Sequence, residues 1–248
     1  MILAGATPDW VRPTFFGANL LPFKKADGGI RPIAVGLTLR RLVAKVACRL
    51  VTEKCTEVLK SRQMGVGVKS GAEALVHAAR RFVGALPSDN ILVKLDFTNA
   101  FNCIRRDRML EATAVHLPEL LSYVSSVYSL PSSLFFGHYI VESAEGVQQG
   151  DPLGPLLYSL TTHSLLQAIK SEFTTGYLDD ISIGGEVSSV GADVRQLEQQ
   201  ALQLGLTLNH SKCEVIGLSD TTNRVAWRRL GLSFQEISVQ DATLLGPL

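Results

Sequence analysis

Apolar residues change their spacing along the chain, and each change marks out an element. In residues 20–35, LLPFKKADGGIRPIAV, two short apolar stretches flank Asp27-Gly28-Gly29, the turn chemistry of a two-stranded hairpin. Over residues 38–59, Leu39, Leu42, Val43, Val46 and Leu50 recur at helical spacing, and Arg40, Arg41, Lys45 and Arg49 ride on the same helix. Residues 70–83 predict a second helix with Ser70 as its cap. Ile91-Leu92-Val93-Lys94-Leu95-Asp96-Phe97 is almost continuously apolar and reads as a buried strand. It ends in a carboxylate that a buried strand does not need for folding. A helix over 100–116 and strand-like pieces around 134–147 follow. Asp151-Pro152 opens the next helix, whose inner face is Leu153, Leu156, Leu157, Leu160 and Ser164. Tyr177-Leu178-Asp179-Asp180-Ile181-Ser182-Ile183 reads as a hairpin with two acids in a tight turn. Val190, Val194, Leu197, Ala201 and Leu204 make an amphipathic helix that Gly205 is placed to end, with short strands over 206–218.

Strand, helix, hairpin, helix, strand is an α+β pattern, with helices expected on one face of an antiparallel sheet. At 248 residues and 46% hydrophobic content, the chain is expected to bury a sizeable core in one large domain or two intimate subdomains. Its N-terminus shows no signal-peptide pattern and it has no membrane-length apolar run, so an intracellular protein without a membrane partner is expected. Cys48, Cys55, Cys103 and Cys213 form no CxxC pair and are expected as reduced thiols. The net charge is only +1, but it is unevenly spread. Residues 1–62 carry a balance of +7 and residues 63–248 one of −6, so the front of the chain suits phosphates while the rest supplies carboxylates.

Asp96 at a strand end and Asp179-Asp180 in a turn are the candidate reactive groups. Phosphoryl transfer through hard divalent cations needs carboxylates converging from neighbouring elements. Alone, an Asp-Asp dipeptide is also ordinary turn chemistry, and a glycosidase would likewise want two carboxylates. Gly65-Val66-Gly67-Val68-Lys69-Ser70 lacks the spacing of a phosphate loop, and the five histidines lack metal-ligand spacing.

The wording of five segments is more specific. Asp27-Gly28-Gly29-Ile30-Arg31-Pro32-Ile33 resembles the fingers motif of reverse transcriptases. The segment from Lys94 through Asp96-Phe97 and Phe101 to Ile104 resembles their first catalytic motif. The segment from Gly146 through Gln149-Gly150-Asp151-Pro152 to Leu157 resembles the second palm motif. Tyr177-Leu178-Asp179-Asp180 resembles the aromatic-x-Asp-Asp turn, and the segment from Gly205 through Lys212 to Glu214 resembles the motif after it. The five stand in family order, closest to retrotransposons without long terminal repeats and to group II intron-type enzymes.

The resemblance implies a polymerase palm with a fingers subdomain and the thumb absent. It divides the chain into fingers at 1–88, palm at 89–110, a fingers insertion at 111–147 and palm again at 148–248, ending at a primer-grip start at Leu244-Leu245-Gly246. It implies an RNA-directed DNA polymerase that adds dNTPs to a DNA or RNA primer on an RNA template with two Mg²⁺ ions, Mn²⁺ being a substitute. Asp96, Asp179, Asp180 and the Phe97 carbonyl would hold the metals, and Lys212 would be a general acid for pyrophosphate. Lys25, Arg31, Phe97, Phe101, Gln149 and Gly150 would bind the nucleotide, with the Phe101 ring excluding a 2′-hydroxyl. Arg40, Arg41 and Lys45 would touch template phosphates. Leu178 departs from the alanine common at the x of the turn. A non-catalytic nucleic-acid-binding remnant of the same fold, truncated or domesticated, and an RNA-templated RNA polymerase remain alternatives.

Overall fold

The structure is a computed structural model and describes residues 2–25, 28–218 and 221–244. Along the chain run α1 (Arg12–Phe15), β1 (Ala18–Lys24), β2 (Ile30–Gly36), α2 (Thr38–Leu59), α3 (Gly71–Gly84), β3 (Asn90–Leu95), α4 (Ala100–Cys103), α5 (Arg106–His116), α6 (Leu121–Tyr128), β4 (Ser132–Phe136), β5 (Tyr139–Ser143), α7 (Gly154–Ala168), β6 (Phe173–Tyr177), β7 (Asp180–Glu186), α8 (Val187–Gln203), β8 (Glu214–Ile216), α9 (Thr221–Arg229) and β9 (Gln235–Ile237). They sort into two compact units. The first comprises residues 1–58 and 99–161, the second 59–98 and 162–248. Residues 59–88 thus group with the β3 sheet, and 99–110 and 148–161 with the β1 sheet, a different division from the one expected.

In the first unit four strands lie in the order β2-β1-β4-β5. The β1–β2 hairpin is antiparallel, as its apolar pattern required, and Asp27 of its turn lies outside the described residues. Helix α2 has the predicted span but not its buried face where spacing pointed. Arg40, Ala44, Ala47, Val51 and Cys55 are buried, while Leu39, Leu42, Val46 and Leu50 are exposed, Leu50 at 69%. Both stripes share the helical period, so spacing identifies a helix without saying which stripe the core takes. The small side chains let the backbone approach closely, and the long apolar ones point outward.

The helix expected over 100–116 is broken. Ile104 is extended, with ψ 132°, and its carbonyl accepts the Gly146 N–H at 3.1 Å, while Phe101 accepts Val147 N–H at 2.7 Å. The break therefore lets α4 pair with the segment leading into residue 150. Gly146 is needed there: its φ is +62°, and a Cβ would lie 2.3 Å from the Asn102 backbone.

In the second unit five strands lie in the order β6-β7-β3-β8-β9. β3 is central and antiparallel to β7 and β8, whereas β8 and β9 are parallel, so the sheet is mixed. Burial on both faces explains the apolar run: Ile91, Leu92 and Val93 are wholly inaccessible. The expected one-sided layer is not observed. Phe82 of α3 stacks on Phe173 at 5.0 Å and stands where a Cβ on Gly184 would be, 2.4 Å away. On the opposite face Leu166 of α7 approaches Gly176 and Val190 of α8 approaches Gly185. Ser70 precedes α3 with φ +54° and makes no capping bond. Gly205, at φ +80°, ends α8 as its position suggested, with Leu206 N–H returning to the Ala201 carbonyl at 2.9 Å. Helix α9 carries little apolar signal and is anchored by the buried Trp227. The four cysteines are free thiols, and no helix among the described residues is long and apolar enough to cross a membrane.

Candidate active site

The second unit brings the acids together. β3 pairs with β7 through Leu95↔Ile181, and one step further along that register sets Asp96 level with Asp180. β6 and β7 close through Tyr177↔Asp180, leaving Leu178 and Asp179 as a two-residue turn. Leu178 takes φ +57°, an unusual conformation for a branched side chain. The segment after α8 folds back on the end of β3. Thr98 N–H donates to the Thr207 carbonyl at 2.9 Å, Asn209 N–H to the Asp96 carbonyl at 2.8 Å, and buried Phe97 bridges to Leu208. Lys212 lies on the turn so held and is exposed, close in sequence to this tie.

The electrostatics record the gathering. The Asp180 carboxyl is pushed up to about 6, first by lost solvation, then by the charges of Asp179 and Asp96, with Lys94 opposing. Asp180 keeps solvent-exposed surface, and the negative charges of Asp179 and Asp96 beside it further oppose its ionisation. Lys94, two residues before Asp96 on the same face of β3, is itself paired to Glu214 at 2.7 Å. Cys213 receives the Asp96 N–H at 3.4 Å, and burial is the chief reason its thiol sits up at about 11, too high to act as a thiolate. Asp180, within electrostatic reach of both Asp179 and Asp96, belongs to a set of carboxylates whose donor chemistry suits hard divalent ions. Among the described residues, however, no three such side chains already converge as a ready metal cage.

Three comparisons bear on this arrangement. Residues 23–234 match the family model described as reverse transcriptase (RNA-dependent DNA polymerase). The chain belongs to the reverse transcriptase family. It is 28% identical over 216 residues to the retrotransposable element SLACS 132 kDa protein of Trypanosoma brucei gambiense, a match covering 82% of this chain and 18% of that protein. It is similar in fold to apo telomerase from Candida tropicalis, with a TM-score of 0.61, 14% identity and coverage of 84% of this chain and 45% of the other. The fold also resembles telomerase from Candida albicans in complex with a fragment of telomeric RNA, with a TM-score of 0.64, 10% identity and coverage of 87% and 44%. The chain thus spans less than a fifth of the curated relative and under half of these telomerases.

The first unit holds the residues expected to meet nucleotide and template, except Phe97, which lies in the second. Gln149 is fixed by its carbonyl, which accepts Ala34 N–H at 2.6 Å. Gly150, at φ +123°, passes so near β2 that a Cβ would lie 2.4 Å from the Ala34 oxygen. Beside them opens a cavity of about 430 Å³ whose walls include Leu20, Pro32, Ala34, Asn102, Val147 and Gln149. Arg31 is exposed on β2, and Lys25 is half-buried. Phe101 is half-buried and stacks on Tyr158 with centroids 4.6 Å apart, which fixes its ring plane.

Arg41 and Lys45 are exposed on α2, as a phosphate contact requires, but Arg40 is not. Its side chain is 2% exposed; it donates to the Phe16 carbonyl, to Gln148 Oε1 at 2.5 Å and to Asp151 Oδ2 at 3.0 Å. Burial lowers the guanidinium pKa, but Asp151, with Tyr128 and Tyr123, offsets this so that the net shift is upward and the group stays charged. Tyr128 donates to the same Asp151 oxygen at 2.6 Å, and Leu153 N–H to the other at 3.0 Å. Arg40 is therefore a structural cation rather than a template contact. Sequence reasoning missed Gln148 and Tyr128 as its partners, because only tertiary folding brings residues 16, 40, 128 and 151 together.

Proposed function

We propose that this chain extends a primer on an RNA template with deoxynucleotides, using divalent ions held by Asp96 and Asp179 with support from Asp180 and the Phe97 carbonyl. The observation that supports the reading is the strand register that sets Asp96 at the end of β3 beside the β6–β7 turn carrying Asp179 and Asp180, with the raised pKa of Asp180 consistent with it. Bound Mg²⁺ or Mn²⁺ would activate the primer hydroxyl and neutralise charge on the leaving pyrophosphate. The chain's own residues do the rest. Arg31 and Lys25 meet triphosphate oxygens, Arg suiting them bidentately. Gln149 and Gly150 present backbone at the nucleotide, and the fixed Phe101 ring crowds a 2′-hydroxyl. Arg41 and Lys45 hold template phosphates without reading sequence. Lys212 supplies a proton to pyrophosphate.

Extension of a primed RNA template with dNTPs and Mg²⁺ or Mn²⁺ tests this. Wild type should extend, and Asp179→Ala should lose roughly a thousandfold or more in turnover, on the scale at which removing a charge-stabilising group acts. Equal silence of both would remove polymerisation from this chain. A second reading, a nucleic-acid-binding remnant without turnover, is favoured by the lack of a preformed acid cage among the described residues. It predicts RNA binding with no extension in either metal.

A further inference from the structure

The segment 62–65, between α2 and α3, is absorbed by none of the roles above, yet it lies directly against the acidic turn. Gln63 is wholly inaccessible to solvent. Its side-chain oxygen accepts the Leu178 N–H at 2.7 Å and the Gly65 N–H at 3.0 Å, and its Nε2 donates to the Leu178 carbonyl at 3.2 Å. Only one orientation of the amide satisfies all three bonds. The main chain of the segment adds two more: Met64 N–H to the Gly176 carbonyl at 2.7 Å, and Gly176 N–H to the Arg62 carbonyl at 2.6 Å. β6 is an edge strand, so this segment acts as its missing neighbour. At the turn, where the strand ends, the Gln63 amide replaces the backbone of that neighbour.

The geometry points to Gln63 as a positioning residue that holds Leu178 in its positive-φ conformation and thereby aims Asp179; the functional half of this rests on the metal-site reading above. A leucine at φ +57° is strained. The two-residue hairpin calls for positive φ at its first position, a conformation leucine resists, and rotation at residue 178 swings the next side chain. The two Gln63 bonds to both polar groups of Leu178 oppose that rotation. Gly65 completes the fit. A Cβ there would lie 2.8 Å from Leu178 Cδ2 and 2.9 Å from its nitrogen, so only glycine lets the strap run this close. The glycines that mimic a phosphate loop thus have a packing reason at position 65.

Gln63→Met keeps the volume and deletes all three side-chain bonds. Two readouts on the 248-residue chain test the idea: amide hydrogen exchange at Leu178, and Mn²⁺ affinity by electron paramagnetic resonance, with Asp179→Asn as the acid control. We expect exchange at Leu178 to accelerate at least tenfold while the β3–β7 amides stay protected. Mn²⁺ affinity should fall roughly tenfold or more, as when groups that orient metal ligands are removed. Leu178→Gly relieves the strain, so adding Gln63→Met to it should cost under about threefold, by the same reasoning on positive φ. Should Gln63→Met alone not fold, Gly65→Ala carries the test, pressing on Leu178 and on the Gln63 contact while leaving the acids and Gln63 themselves in place, and it too should weaken Mn²⁺ binding. Unchanged exchange at Leu178, or Mn²⁺ affinity equal to wild type in both Gln63→Met and Gly65→Ala, would overturn the assignment. If wild-type Mn²⁺ binding does not depend on Asp179, the metal-site reading fails instead, and exchange at Leu178 still decides whether Gln63 holds the turn.

Discussion

Asp180 carries the clearest signature of a site in tension. Its carboxyl lies at about 6 against an ordinary value of 3.8, because lost solvation and the charges of Asp179 and Asp96 oppose ionisation. Above pH 6 the metal-free folded protein bears the full penalty of that charge. As the pH falls from 6 toward 3.8 proton uptake relieves it, and below 3.8 folded and unfolded states are equally protonated. Asp180→Asn should therefore raise the melting temperature of the metal-free protein at pH 7, with the gain shrinking to nothing by about pH 4. Thermal melts across that range check the sign; a variant less stable than wild type at pH 7 would contradict it. Phe101 makes a second residue-scale prediction. With its ring plane fixed by Tyr158, Phe101→Val should open space at the sugar and improve use of NTPs relative to dNTPs by about tenfold or more, on the scale of removing a steric sieve. Competition between dNTP and NTP measures this, and unchanged selectivity would return Phe101 to the core.

Helix α2 separates two kinds of residue that its sequence does not distinguish. Arg40 on the buried stripe serves the Asp151 carboxylate and three further oxygens, and Leu42 on the outward stripe is 56% exposed. Arg40→Met would leave Asp151 buried without its cation and should cost about 3–5 kcal/mol. Leu42→Gln should stay within about 0.5 kcal/mol of wild type. Urea unfolding of the two variants tests the contrast, and a large loss from Leu42→Gln would mean that its face is covered in solution. The same network shapes the turn before α7, which begins at Gly154 and not at the Asp151-Pro152 expected. Asp151 accepts Leu153 N–H in that turn while its other oxygen is held by Arg40 and Tyr128. One residue thus serves the approach to the helix and core packing together.

For the molecule as a whole, the uneven charge along the chain becomes a statement about nucleic acid. The net charge of +1 offers little long-range attraction, so binding depends on local cations. Arg41 and Lys45 are exposed one helical turn apart on α2, in the part of the chain with the positive balance. Reversing both to Glu should weaken RNA binding and lower the slope of log affinity against log salt by about 1.4, at about 0.7 per phosphate contact on single strands. Arg40→Met should leave that slope alone, since the group is spent inside the protein. Fluorescence anisotropy at several salt concentrations separates the two, and equal slopes for wild type and the double reversal would remove α2 from the template path.

The sequence by itself determined the elements with strong local periodicity and the family, and it nominated the candidate acids. Alternation and turn chemistry marked the β1–β2 and β6–β7 hairpins, helical spacing marked α2 and α8, and the ordered motifs pointed to Asp96 and Asp179. These are legible because they depend on neighbours a few positions away. The tertiary structure alone decided which stripe of α2 is buried, why the helix after β3 breaks at Ile104, that helices cover both faces of the five-stranded sheet, and that Gln63 holds Leu178 across 115 positions. Each is a contest between partners distant in the chain, settled by close approach at glycine and by the need to satisfy buried polar groups. A local pattern carries no record of such partners.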